Sequence, residues 1–252
     1  MEDNAKLLQF VENIFDEKND ITEDDWKEMK NELEKEKLDT TEDFLSYAFA
    51  LKILDPNIKI NISETNVVED VKQLVETFPP LPESYENENS LPLPRYDEYE
   101  NLYLAVAAIK VINPALKPDT NNIWNWAIKS LEKLETTKNM QEVQTLTSLA
   151  FYMKIIDPSL DLDGIIGDAG WENIKESFYE SKNLNFAGKI KVLNPEINLT
   201  LNESDWQSMK KSLSEARADK NYGAINGFSQ LAVVMKILSA EKIVITENGL
   251  EF

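Results

Sequence analysis

Histidine and cysteine are missing altogether from the 252 residues, glycine is scarce at 7, and 26 Lys plus Arg face 46 Asp plus Glu. Each shortage excludes something. Without His or Cys there is no Ser-His or Cys-His nucleophile pair, thiol redox centre, disulfide or ordinary zinc site. Any chemistry would rest on carboxylates, hydroxyls, Lys, Tyr or a hard metal ion. The shortage of cations gives a formal charge of -20. That charge opposes DNA, RNA and anionic membrane surfaces, whose binding rests on Lys and Arg meeting phosphates. Long apolar runs are lacking too: none approaches the roughly 20 residues of a spanning helix, and the Met1–Phe10 stretch has no basic region followed by an apolar one. A soluble, cytoplasmic protein is expected. What is present, 42% hydrophobic residues, is enough to build a core.

One phrase recurs along the chain: Lys52-Ile-Leu-Asp-Pro56, Lys110-Val-Ile-Asn-Pro114, Lys154-Ile-Ile-Asp-Pro158, Lys191-Val-Leu-Asn-Pro195 and Lys236-Ile-Leu-Ser-Ala240. Self-similarity at a period near 40 residues is the signature of a repeat architecture. Aligned on the Asp, Asn or Ser, the columns upstream agree as well. Seven positions before it stand Ala48, Val106, Ala150, Ala187 and Ala232; four before it stand Leu51, Ile109, Met153, Ile190 and Met235; one before it stand Leu54, Ile112, Ile156, Leu193 and Leu238. Steps of three residues place these on one face of an amphipathic helix, termed A. The Pro that follows pushes the preceding residue out of the α region and ends the helix.

A second phrase follows in Trp26-Lys-Glu-Met-Lys-Asn-Glu-Leu33, Trp171-Glu-Asn-Ile-Lys-Glu-Ser-Phe178 and Trp206-Gln-Ser-Met-Lys-Lys-Ser-Leu213, with weaker copies from Val68 and Trp124. Its spacing predicts a helix B, started by Thr22 and Asp25 or Ser63 and Asn66 as caps, with Glu203 and Asp205 favouring the dipole. Between A and B, short alternating stretches such as Ile58–Ile62, Leu160–Leu162, Ile197–Leu201 and Ile243–Ile245 predict extended connectors. The expected fold is therefore all-α: a solenoid-like array of about ten or eleven helices in units of about 40 residues, with short extended connectors. In general plan it is similar to HEAT or tetratricopeptide arrays, but it lacks the Trp-Leu-Gly and Pro signatures of the latter. That likeness transfers no functional residue.

Departures from the period divide the chain. The anchors at 55, 113, 157, 194 and 239 are separated by 58, 44, 37 and 45 residues. The long first gap contains Pro79–Arg95, where five of the ten prolines lie. Residues 1–78 read as N-terminal repeats with a degenerate cap, 79–95 as a Pro-rich insertion or linker, and 96–252 as C-terminal repeats with a strand-like tail. The short third gap predicts a helix A of about ten residues before Asn194.

Site candidates are weighed against structural roles. Trp26, Trp124, Trp171 and Trp206 share a repeat column and read as core wedges. Trp126 stands outside that column, so it is expected to be partly exposed. The Lys column, Lys52, Lys110, Lys154, Lys191 and Lys236, falls in the last turn of each helix A, where an exposed cation meets the negative end of the helix dipole. Asp157, Ser159, Asp161, Asp163 and Asp168 faintly resemble a calcium loop, but Leu162 stands where that loop requires Gly. Asp24-Asp25 reads as an acidic first turn. No catalytic residue, metal ligand or cofactor site is assigned. Tyr85, Tyr96 and Tyr99, beside the Pro-rich insertion, and Trp126 are the candidates for contact with a partner.

Repeats without a singular polar motif imply a non-enzymatic interaction or scaffold module with a protein partner, basic in view of the charge. The alternatives are a carboxylate-dependent hydrolase, which needs neither His nor Cys, and an acidic decoy that mimics nucleic acid to occupy a basic protein.

Overall fold

Several of the described helices begin where a side chain takes over a backbone donor that a helix start leaves unbonded. The computed structural model describes residues 67–77, 96–113 and 120–197, with further positions at 45, 48–50, 52, 60, 115, 199, 204, 207, 211, 234, 237, 243–246 and 249–251. This part is all-α in character. Its helices are α1 (Val67–Thr77), α2 (Tyr96–Ile112), α3 (Asn121–Leu131), α4 (Met140–Ile156), α5 (Leu162–Ser181) and α6 (Leu184–Leu193). A 3-10 turn, Glu132–Glu135, continues α3, while β1 (Val244–Thr246) and β2 (Gly249–Glu251) form an antiparallel hairpin pairing Val244 with Glu251.

Three helices start on an Asn or Asp. The side chains of Asn139, Asp161 and Asn183 accept from the N–H three residues on, at 3.2, 3.1 and 3.2 Å. Each satisfies one of the donors a helix start leaves open. The expected caps Thr22, Asp25, Ser63 and Asn66, and the acids Glu203 and Asp205, lie outside the described residues.

The other ends follow the recurring Asp/Asn-Pro phrase. Asp157 and Asn194 are the C-caps of α4 and α6, both out of the α region at ψ 95 and 87. That is the conformation a following Pro imposes. The anchor side chain then bends the chain: Asp157 Oδ1 accepts from the Ser159 N–H at 2.9 Å, and Asn113 Oδ1 from the Ala115 N–H at 3.2 Å. Leu160 and Ile197 donate back to the carbonyls of Asp157 and Asn194, each at 3.1 Å. The phrase is thus a stop signal and a turn in one, which is why Asp or Asn is needed there.

Packing is centred on α4. This helix is buried almost all round from Val143 to Ile156, with α2, α3, α5 and α6 all in contact with it. A helix apolar on every face belongs in a core. Every described member of the first two columns is buried: Ala48, Val106, Ala150 and Ala187, then Ile109, Met153 and Ile190. The helix B faces are buried at Val71 and Val75, with the expected Val68 half-buried and Val67 buried instead, at Ala127 and Leu131, with Trp124 and Ile128 half-buried, and at Trp171, Ile174 and Phe178. The α6 helix has the ten residues that the short gap demands.

Three expectations need correction. The α5 helix starts at Leu162, not at Trp171, so Leu162 is helical and the extended connector before it is only Leu160 and Asp161. The reason is Gly167, at φ 66 and ψ 169, which lets a first turn join the main helix through a kink. Lys110 is buried at 2% exposure, not exposed: its ammonium donates to the carbonyls of Ile155 and Ile156 at 3.0 and 2.9 Å. It serves the C-terminus of the neighbouring α4 because α2 lies directly against that helix. Lys154 and Lys191 bond locally instead, to Leu160 O at 2.7 Å and to Pro195 O.

Trp126 is the third correction: it is 5% exposed. Position 126 is about 200° around the helix from Trp124, and α3 is covered on more than one side, by α4 and by α5. Trp124 is the half-buried one, with its ring centroid 6.0 Å from that of Tyr103 on α2.

Candidate functional site

The most distinctive polar cluster of the described residues spans three helices. Glu100 is on the second turn of α2, Ser148 and Tyr152 are one turn apart on α4, and Lys189 is in the middle of α6. Spacing puts Ser148 and Tyr152 on one face of α4. The Lys189 ammonium meets Glu100 Oε1 at 3.3 Å, donates to Ser148 Oγ, and lies 5.2 Å from the centroid of the Tyr152 ring. Ser148 Oγ in turn donates to the Gln144 carbonyl at 3.0 Å.

Electrostatics follow from burial. Tyr152 is 7% exposed, and burial pushes its phenol above the usual tyrosine range, against the opposing pull of the Lys189 cation. Tyr152 is therefore neutral over the physiological range. Burial disfavours the Lys189 ammonium, but the negative charge that Tyr152 carries once ionised, together with Glu100, outweighs that and holds its pKa above the ordinary lysine value. The pair with Glu100 is about three-quarters shielded, its side chains 23% and 24% exposed.

Beside the cluster is a cavity of about 190 Å³. Its apolar wall is formed by Phe49, Ala50, Leu104, Phe151, Val234 and Ile237, and its polar wall by Tyr152, Lys189 and Asn185. The rings of Phe49, Phe151 and Tyr152 meet edge to face, with centroids 5.3 to 6.5 Å apart. Gly188 keeps the α6 wall thin: a Cβ there would stand 3.7 Å from the Val234 methyls.

The sequence candidates fall elsewhere. Tyr85 lies outside the described residues, as does the rest of the 79–95 insertion. Tyr96 and Tyr99 are in the first turn of α2, the turn that leads to Glu100. Trp126, being buried, has no ring to offer a partner. Three of the four carboxylates of the calcium-like stretch are engaged by the fold: Asp157 bonds Ser159, Asp161 caps α5, and Asp163 accepts from Trp171 Nε1 at 3.0 Å, while Asp168 is exposed on α5. Among the described residues no three acidic side chains gather as a metal site, and no helix is long and apolar enough to cross a membrane.

The missed residues did leave a signal. Five positions before each anchor stand Ala50, Ala108, Tyr152, Lys189 and Val234. Tyr and Lys in an otherwise small, apolar column mark a place where the repeat departs from itself, and four of these five residues line the cavity. Comparison with protein-family models, with curated proteins and with solved structures gives no match to this chain.

Proposed function

We propose that the chain is an α-helical repeat array of the solenoid kind that works, without catalysis, as a binding or scaffold module for a basic protein in the cytoplasm. The observation that carries this reading is the recurrence of one helix-stop phrase together with contacts from α2 to α4 and from α4 to α6, helices that all end in that phrase. Units of this sort bury their apolar faces only against one another and leave an extended surface free for partners. The charge of -20 favours a basic partner through steering and complementarity. The absence of cysteine suits a reducing compartment.

Affinity capture on the immobilised full chain, followed by titration with the purified captured protein at about 50 and 300 mM salt, tests the proposal. Saturable binding that weakens at least about tenfold with salt is expected. Lack of any saturable protein partner, combined with specific turnover in a metabolite screen, overturns it.

A further inference from the structure

We propose that the cavity between α4, α6 and the wall formed by Phe49, Ala50, Val234 and Ile237 binds a small neutral aromatic molecule carrying one hydrogen-bonding group. This inference stands apart from the protein-binding reading and does not depend on it. Size comes first. Apolar cavities of about 150 Å³ take up benzene, so 190 Å³ holds one single-ring or fused two-ring molecule and nothing drug-sized.

The chemistry of the walls selects the class. Phe49, Phe151 and Tyr152 supply ring edges and faces, and Leu104, Val234 and Ile237 extend the apolar lining of a cleft that stays open on one side. A planar aromatic body satisfies such walls through offset and edge contacts. Charge decides the rest. Lys189 presents a cation, but Glu100 at 3.3 Å cancels it, so the described residues give the site no net charge. An anion would have to displace Glu100, and a cation would face Lys189. Asn185 is exposed at the rim and offers both a donor and an acceptor, which suits a hydroxyl or an N–H on the ligand. Because the walls join residues near 50 with residues near 234, an occupant also clamps segments far apart in the chain.

The full chain is titrated with indole, phenol, benzoate and benzylammonium by calorimetry and by methyl shifts of Val234 and Ile237. Indole and phenol are expected to saturate with Kd of about 0.1–1 mM, with benzoate and benzylammonium at least about tenfold weaker. Glu100→Gln leaves Lys189 uncompensated, so benzoate affinity should rise at least about tenfold while indole changes by less than about twofold. Gly188→Ala, whose methyl enters ordinary contact with Val234, should weaken indole more than phenol. The idea is overturned if no aromatic binds saturably, or if the native chain takes benzoate as well as it takes indole. An unchanged preference in a folded Glu100→Gln chain, verified by circular dichroism, also overturns it.

Discussion

Replacing Lys110 by Met tests whether the lysine of the recurring phrase is a dipole ornament or a tie between helices. Met has nearly the length and volume of the lysine stem, so the change removes the ammonium and opens little space. At 2% exposure the ammonium holds the last two carbonyls of α4, at 3.0 and 2.9 Å. Those carbonyls lack the helical donors four residues on: the N–H of Ser159 bonds Asp157 Oδ1 and that of Leu160 bonds Asp157 O, so Met153 O, which accepts from the Asp157 N–H at 2.8 Å, is the last served by that pattern. Hydrogen bonds from a charged donor are worth about 1.5–3 kcal/mol each, and a buried carbonyl left without a donor costs about 1–3 kcal/mol. Against this, the native fold has already lost the hydration of one ammonium, a cost of several kcal/mol that Met does not carry. The opposing terms leave a net loss of about 2–4 kcal/mol for Lys110→Met.

Lys154→Met is the internal control, because it occupies the same column. Its ammonium bonds Leu160 O at 2.7 Å but is only part-buried, so water can replace it and the expected loss is about 0.5–1.5 kcal/mol. Urea unfolding followed by tryptophan fluorescence and by far-UV circular dichroism measures both, with equal slopes required for a valid comparison. If Lys110→Met costs under about 1 kcal/mol, or no more than Lys154→Met, the tie between α2 and α4 contributes nothing and the reasoning fails.

Gly167→Ala should lower stability by about 1–2 kcal/mol, because φ 66 disfavours a Cβ and the new methyl would run into the Glu135 carboxylate. Recovery of more than half of that loss by adding Glu135→Ala would show that the clash, not the backbone, dominates. Asn173→Leu deprives the Leu134 carbonyl of its 2.8 Å donor and should cost about 1–3 kcal/mol by the same unfolding assay. Alkaline titration gives a signed test: Tyr152 and Lys189 both have folded pKa values above their unfolded ones, 10.0 and 10.5. Their contribution is complete below pH 10 and disappears as pH rises through the folded values, at up to about 1.4 kcal/mol per pH unit for each proton. Tyr152→Phe should flatten the stability profile above pH 10, and an unchanged slope would refute the assignment.

Local structure was legible because its causes are local. Asp157-Pro158 and Asn194-Pro195 stop their helices for reasons contained in two residues, and Ala150, Met153 and Ile156 share a face by helical arithmetic alone. What escaped the sequence reading depends on neighbours. Nothing near Lys110 says that its ammonium will reach Ile155 and Ile156, 45 and 46 residues away. Trp126 is buried for the same kind of reason, since a helix covered on several sides buries residues outside its periodic stripe. Gly167 hid a kink because a single Gly looks alike in a loop and in a broken helix.

The cluster around Lys189 joins these two levels. In a column otherwise made of Ala, Tyr and Val, a lysine is tolerated only where an acid reaches it, and that acid, Glu100, belongs to a different helix. Ser148 on the intervening α4 accepts a third contact, so one polar link runs across α2, α4 and α6. A pair this shielded adds little net stability, about 1 kcal/mol once solvent screening and desolvation are counted. Its stronger effect is on alignment: sliding α6 by one turn against α4 would leave Lys189 facing apolar wall and Glu100 without its cation, a penalty that close-packed Ala and Ile faces do not impose. The residue that makes the cavity polar therefore also fixes which turn of α6 can form it, and Glu100→Gln, which leaves that shielded ammonium without its acid, should change the cavity's selectivity and also cost the fold more than the pair's own net worth.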